Sequence, residues 1–295
     1  MTVKRSPISR AIVVGSGAMG SGIAQVFAEA GLIVHLIDVN AHALEQGVAT
    51  LEKNLERRVA KGTFSAEQIA DIRSRIYPAT EIDGNARRAE FAIEAVFENL
   101  DVKTAIVRDL DTALSSGAII ASNTSSISIS RLAAISSHPE RVVGMHFFNP
   151  APVMPLVEVV RGIQTADEVA LSVSLLATTC GKTPIEASDS PGFVGNRILL
   201  PMINEAVFTL SEGVATRDGI DQVMKLGMSH PMGPLALADL IGLDVCLDIL
   251  TVLHRDFGDD KYRPAPLLRR MVAAGRLGRK SGRGFYHYAA GDTPA

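Results

Sequence analysis

The sequence predicts an α/β fold, with a mostly parallel N-terminal sheet followed by a second, all-helical C-terminal domain. Three observations predict it. Short apolar runs alternate with helix-like segments in the first part of the chain. A glycine-rich turn joins the first apolar run to the first helix. Beyond about Ala187, strand signals nearly vanish and long helical patterns take over.

Ala11 to Val14 is a short apolar run that ends in glycines, and Gly20 to Ala30 follows with Ile23, Val26 and Phe27 at helical spacing. Gly31 stops that helix, and Leu32 to Ile37 forms the next strand, ending on Asp38. Ala41 to Lys61 is polar and helix-forming. Phe91 to Val96 reads as a strand, Asp101 to Leu114 as a helix and Ala118 to Ala121 as a buried strand. Val142 to Met145 and Leu156 to Val160 are further short strands. The turn-forming cluster Asp189-Ser190-Pro191-Gly192 divides the chain into domains 1–188 and 189–295. Phe193 to Ser211, Thr216 to Leu226 and Leu235 to His254 are the helices expected in the second domain. The last is apolar on most of its circumference, which fits either the centre of a helical domain or a homodimer interface.

At 295 residues, the chain can build one large domain or two smaller ones. A net charge of -3 offers no basic footprint for nucleic acid. Only Cys180 and Cys246 are present, which fits a reducing cytoplasm and thiols that serve as small core residues. Met1 to Arg10, with Lys4 and Arg5, lacks the apolar core of a signal peptide. No apolar run is long enough to span a membrane.

Gly15-Ser16-Gly17-Ala18-Met19-Gly20 is a G-x-G-x-x-G between a strand and a helix. Asp38 ends the next strand, close to the expected spacing of about 20 residues after the last glycine. Together these define a Rossmann-type nucleotide site. Gly15 permits the tight turn, Gly17 lets pyrophosphate approach the backbone, and Gly20 lets helix and strand pack closely. Asp38 can accept from ribose hydroxyls and repels a 2′-phosphate, so NAD is expected rather than NADP.

Four segments carry candidate chemistry. Ala121 to Ser126, with Ser125, follows a buried strand, where open α/β sheets bind ligands; alone, such a cluster is also an ordinary turn. His146 follows an apolar strand, and an imidazole can take a proton from an alcohol as hydride leaves. Glu158 sits inside an apolar strand, where an acid needs a partner; that partner is either a catalytic histidine or a structural cation. Asp189 to Arg197 lies at the domain junction and carries Asn196, which could bond a substrate oxygen.

These four segments, in this order, resemble the L-3-hydroxyacyl-CoA dehydrogenases, most closely their stand-alone bacterial type. The resemblance runs from Ala11 to Tyr288 and includes Pro231-Met232-Gly233-Pro234 followed by Leu243-Asp244. It implies NAD-dependent, reversible oxidation of an (S)-3-hydroxyacyl-CoA, with 3-hydroxybutyryl-CoA and acetoacetyl-CoA as the short-chain pair. It also implies that His146 is the acid/base, Glu158 its partner, and that Ser125 and Asn196 hold the substrate. Glu98, Lys103, Asn149 and Lys280 match nucleotide contacts, and Ser125 is expected at the cofactor as well. Lys53, Arg57 and Lys61, four apart on one helix, match a CoA-binding face, and a homodimer is implied. No metal site is expected. The rival readings are a dehydrogenase of free 3-hydroxy or sugar acids and a non-catalytic NAD-binding protein.

Overall fold

A computed structural model of the chain describes residues 6–288, so Lys4 and Arg5 lie outside the described residues. The chain divides into two compact units between Ser190 and Pro191. The first contains β1 (Arg10–Val14), α1 (Ala18–Glu29), β2 (Ile33–Ile37), α2 (Ala41–Ala60), α3 (Ala66–Ser74) and β3 (Ile76–Ala79). It continues with β4 (Phe91–Glu94), α4 (Leu100–Ala113), β5 (Ile119–Ser122), α5 (Ile129–Ala133) and β6 (Val142–Phe147). It closes with β7 (Leu156–Arg161), α6 (Asp167–Thr179) and β8 (Thr183–Ser188).

The eight strands form one sheet in the order β3-β2-β1-β4-β5-β6-β7-β8. All neighbouring pairs are parallel except β6 with β7. Strand order reverses between β1 and β4, which is where open α/β sheets place their ligands. The central strands are buried: the interior residues of β1 and all of β4, β5 and β6 are closed to solvent, so they read as continuous apolar runs. Phe27 of α1 fastens its helix to the sheet through edge-to-face contacts with Phe91 and Phe147.

Both edge strands escaped the sequence reading for the same physical reason. Each has a single neighbour and an exposed flank, and each contains a proline, Pro78 in β3 and Pro184 in β8. Proline cannot donate to a ladder and is tolerated at an edge, so neither strand has a strong apolar pattern.

The second unit contains α7 (Gly195–Ser211), α8 (Arg217–Gly227), α9 (Pro234–Ile241), α10 (Leu243–Phe257) and α11 (Pro266–Ala273), with no regular strand among the described residues. Its core gathers Leu200, Ile203, Val207, Leu235, Leu243 and Leu250, among others. The single helix expected over Leu235 to His254 is two helices. Gly242 breaks it, with φ at +106°, a backbone state that side-chain-bearing residues rarely adopt. The break divides the apolar pattern between two helices that both supply core residues, while Leu240 on α9 and Val245 on α10 stay exposed. Two buried carboxylates fasten the C-terminal segment. Asp239 accepts from the Phe285 and Tyr286 amides, and Asp221 accepts from the Tyr286 hydroxyl.

Cys246 is buried and Cys180 half-buried, and burial pushes both thiols up to about 12. Neither is therefore a nucleophile near neutrality. No helix among the described residues is long and apolar enough to cross a membrane.

Candidate active site

The glycine turn follows β1 at the point where strand order reverses. Gly15 adopts φ of +97°, and a Cβ there would lie 2.9 Å from the Ala95 carbonyl at the end of β4. A Cβ on Gly20 would lie 1.8 Å from the Gly15 carbonyl, so α1 can start this close to the turn only with glycine there. Gly17, by contrast, is exposed and faces open space. It caps α1 with no side-chain bond, and the first turn, which includes Ala18 and Met19, holds no acid. The helix start thus offers N–H groups and a positive dipole end to a phosphate, as a bound dinucleotide requires.

Asp38 sits at the end of β2. Its Oδ2 accepts from the Ser16 amide at 2.9 Å and hydroxyl at 2.8 Å, and its Oδ1 accepts from the Asn40 amide at 3.0 Å. Desolvation pushes this carboxyl upward, but the three hydrogen bonds outweigh it and hold it below the ordinary range. It is therefore an anion at neutral pH, at the position suited to a ribose. Gly47, on α2, belongs to the same construction and was not singled out in the sequence. A Cβ there would come within 2.3 Å of the Ser16 carbonyl. Its signal was a lone glycine inside a good helical pattern.

On the far side of the turn, the ends of β4 and β5 carry a network of buried charges. Glu94 is fully buried, and its oxygens lie 2.9 and 2.8 Å from Lys103 Nζ. The Ser122 hydroxyl donates to it closely. Lys103 was expected at the nucleotide. Its side chain is instead 1% exposed, donating also to the Val96 carbonyl and pairing with Glu98 at 3.4 Å. An ammonium buried this deeply needs carboxylates around it, and Glu94 and Glu98 supply them.

Glu98 grips the loop after β5. Its Oε1 accepts from Thr124 Oγ1 at 2.5 Å, from the Ser125 and Ser126 amides at 3.1 and 2.9 Å, and from Ser126 Oγ at 2.8 Å. Burial pushes this carboxyl upward, but Lys103 and the loop donors outweigh it and keep the group below its usual range. About a third of the side chain, 36%, still meets solvent. Beyond the loop, Asp189 accepts from Ser128 Oγ and from the amides of Ile129 and Ser130, which fixes the start of α5.

His146 and Glu158 stand opposite one another in the register of β6 and β7. His146 Nδ1 lies 2.8 Å from Glu158 Oε2, and both side chains are buried, at 7% and 2% exposed. The ring of Phe148 covers the imidazole, with centroids 4.8 Å apart. Asn123 links the Ser125 loop to this strand by accepting from the Phe147 amide at 2.8 Å. The first unit thus brings together the glycine turn, Asp38, the Glu98-held loop and the His146–Glu158 pair at one end of the sheet. Asn149 is exposed just beyond β6.

Lys53 and Arg57 are exposed on α2, and Lys61 ends that helix. In the second unit, Asn196 lies on the first turn of α7, just after Phe193, whose φ of 48° is unusual for a bulky residue. Lys280 bonds Asp244 at 2.6 Å, so that carboxylate competes with any phosphate for its ammonium. Among the described residues, no group of three or more His, Cys, Asp or Glu side chains could hold a metal ion.

This fold, with an open phosphate-binding turn and a buried histidine–carboxylate pair, defines a dinucleotide-dependent dehydrogenase. Residues 10–190 match the family described as 3-hydroxyacyl-CoA dehydrogenase, NAD binding domain, and residues 192–288 match its C-terminal domain. The chain belongs to the 3-hydroxyacyl-CoA dehydrogenase family, and NAD is its cofactor. It is 53% identical over 281 residues to the probable 3-hydroxybutyryl-CoA dehydrogenase of Bacillus subtilis (strain 168), covering 95% of this chain and 98% of that protein. It is 50% identical over 281 residues to the 3-hydroxybutyryl-CoA dehydrogenase of Bradyrhizobium diazoefficiens, covering 95% and 96%. The crystal structure of (S)-3-hydroxybutyryl-CoA dehydrogenase from Ralstonia eutropha matches with a TM-score of 0.93 at 50% identity, covering 96% of this chain and 100% of that one.

Proposed function

We propose that this enzyme transfers hydride reversibly between NAD and C3 of a short-chain (S)-3-hydroxyacyl-CoA, interconverting 3-hydroxybutyryl-CoA and acetoacetyl-CoA. The observation that carries the reading is the buried 2.8 Å contact of His146 with Glu158, beside a loop of hydroxyls beyond the strand ends. The bound cofactor supplies the hydride acceptor. His146 takes the hydroxyl proton through Nε2 as hydride leaves C3, and returns it in the reverse direction. Glu158 holds Nδ1–H, so it sets the tautomer and offsets the imidazolium charge.

Ser125 and Asn196 hold the reacting oxygen and thioester region. Glu98 and Asn149 line the nucleotide site, with Lys280 as a further cation once it leaves Asp244. Lys53, Arg57 and Lys61 offer cations to the CoA phosphates. We read the protein as a cytoplasmic homodimer. Its free cysteines suit a reducing compartment, and exposed Val223, Leu226 and Met228 near α8 suit a self-contact.

The test is NADH oxidation with acetoacetyl-CoA and with free acetoacetate, in the wild type and His146→Ala. We expect rapid turnover of the thioester alone, lowered at least about 100-fold by the substitution. Equal rates on the two substrates would remove the CoA assignment. An unaffected His146→Ala enzyme would remove the acid/base assignment.

A further inference from the structure

We infer that Glu94 is a positioning residue for the reaction, acting on Ser125 through Lys103 and Glu98. The inference rests on the role given above to Ser125 and deepens that reading. Glu94 is a fully buried carboxylate outside the His146–Glu158 pair to which the proton transfer is assigned above. Burying it without a cation would be costly, and its partner, Lys103, is 1% exposed. The lysine is shared unequally. Its Nζ lies 2.9 and 2.8 Å from the two oxygens of Glu94 but 3.4 Å from Glu98 Oε2.

That inequality divides the work of Glu98 between its two oxygens. Oε2 faces the lysine, while Oε1 receives the loop donors from Thr124, Ser125 and Ser126. Glu94 keeps the ammonium low, bonded to itself and to the Val96 carbonyl. From there it favours an ionised Glu98 without drawing that carboxylate away from the loop. Ser122, at the end of β5, anchors Glu94 from the other side. If Glu94 loses its charge, the ammonium loses its nearer anionic partner and keeps only Glu98. The lysine then moves toward Glu98 and competes with the backbone of Ser125 and Ser126. A shift of about 1 Å at a reacting group can cost on the order of 100-fold in rate.

Glu94→Gln keeps the shape and removes the charge, and Glu94→Asp keeps the charge with a shorter reach. The measurements are amide hydrogen exchange of Ser125 and Ser126, and kcat/KM with acetoacetyl-CoA in the wild-type and Ser125→Ala backgrounds. We expect faster exchange confined to this loop and a loss of roughly tenfold in kcat/KM, absent in the Ser125→Ala background and smaller for Glu94→Asp. Wild-type exchange at Ser125 and Ser126 in Glu94→Gln would overturn the inference, as would a kinetic loss that persists undiminished in the Ser125→Ala background. If Glu94→Gln does not fold, Glu94→Asp is held to the same two criteria. A Ser125→Ala enzyme with wild-type kcat/KM would identify a different failure, that of the Ser125 role, and leave Glu94 with nothing to position.

Discussion

His146 and Glu158 face each other across the only antiparallel ladder of the sheet among the described residues, with Nδ1 and Oε2 2.8 Å apart. Strands β6 and β7 are joined by residues 148–155, and the register of their ladder sets the acid opposite the base. Glu158→Gln retains the shape but presents an amide that can no longer balance an imidazolium. We expect kcat to fall at least about 100-fold with NADH affinity unchanged. Steady-state NADH oxidation together with fluorescence titration measures both, and a kcat within a few-fold of wild type would remove Glu158 from the mechanism.

Gly47 tests the nucleotide site from outside the glycine fingerprint. A methyl group there meets the Ser16 carbonyl at 2.3 Å, so α2 or the turn must shift. Gly47→Ala should weaken NADH binding by about tenfold or more, since backbone displacement at a phosphate turn loses aligned N–H donors. Gly20→Ala, with its 1.8 Å clash, should abolish binding. Titration of nicotinamide fluorescence reads both variants, and wild-type affinity in Gly47→Ala would show that the turn does not depend on α2.

We propose that Asp38 makes the site selective by charge. Val39 beside it is 90% exposed and leaves room for a cation. The double variant Asp38→Ala, Val39→Arg should raise the NADPH-to-NADH ratio of kcat/KM by at least about tenfold, because it replaces repulsion of a 2′-phosphate with attraction. Kinetics with the two cofactors under identical conditions measure this ratio. An unchanged ratio would mean that cofactor choice is made elsewhere.

The carboxyl of Glu98 lies below its ordinary range because Lys103 and the loop donors outweigh its burial. A depressed acid contributes stability that is present above its unfolded pKa and lost as pH falls through the folded one. The difference in thermal midpoint between the wild type and Glu98→Gln should therefore be full above about pH 4.3 and shrink as the solution is acidified below it. Paired melting curves across that range provide the check. A difference that persists to the lowest pH at which both variants fold would mean that the loop is held by something other than the Glu98 charge.

The amino-acid sequence by itself determined the nucleotide half of the site. The glycine turn, the helix it opens and Asp38 are local in the chain, and their chemistry depends on spacing that can be counted. It also marked His146, an imidazole just after an apolar strand, and Glu158, because an acid inside an apolar strand requires a partner. Only the tertiary structure decided the partners of Glu94, Lys103 and Gly47. Glu94 draws no notice in the sequence, and Lys103, expected at the nucleotide, is seen to be buried against it only once the fold is known. Gly47 gains its meaning from Ser16, a residue in a different element. The break at Gly242 was concealed for a related reason: an apolar run is compatible with one helix or two, and a positive φ is visible only once the backbone is placed. Periodicity and spacing record interactions along the chain, whereas pairing of buried charges and close backbone approach depend on which elements the fold brings side by side.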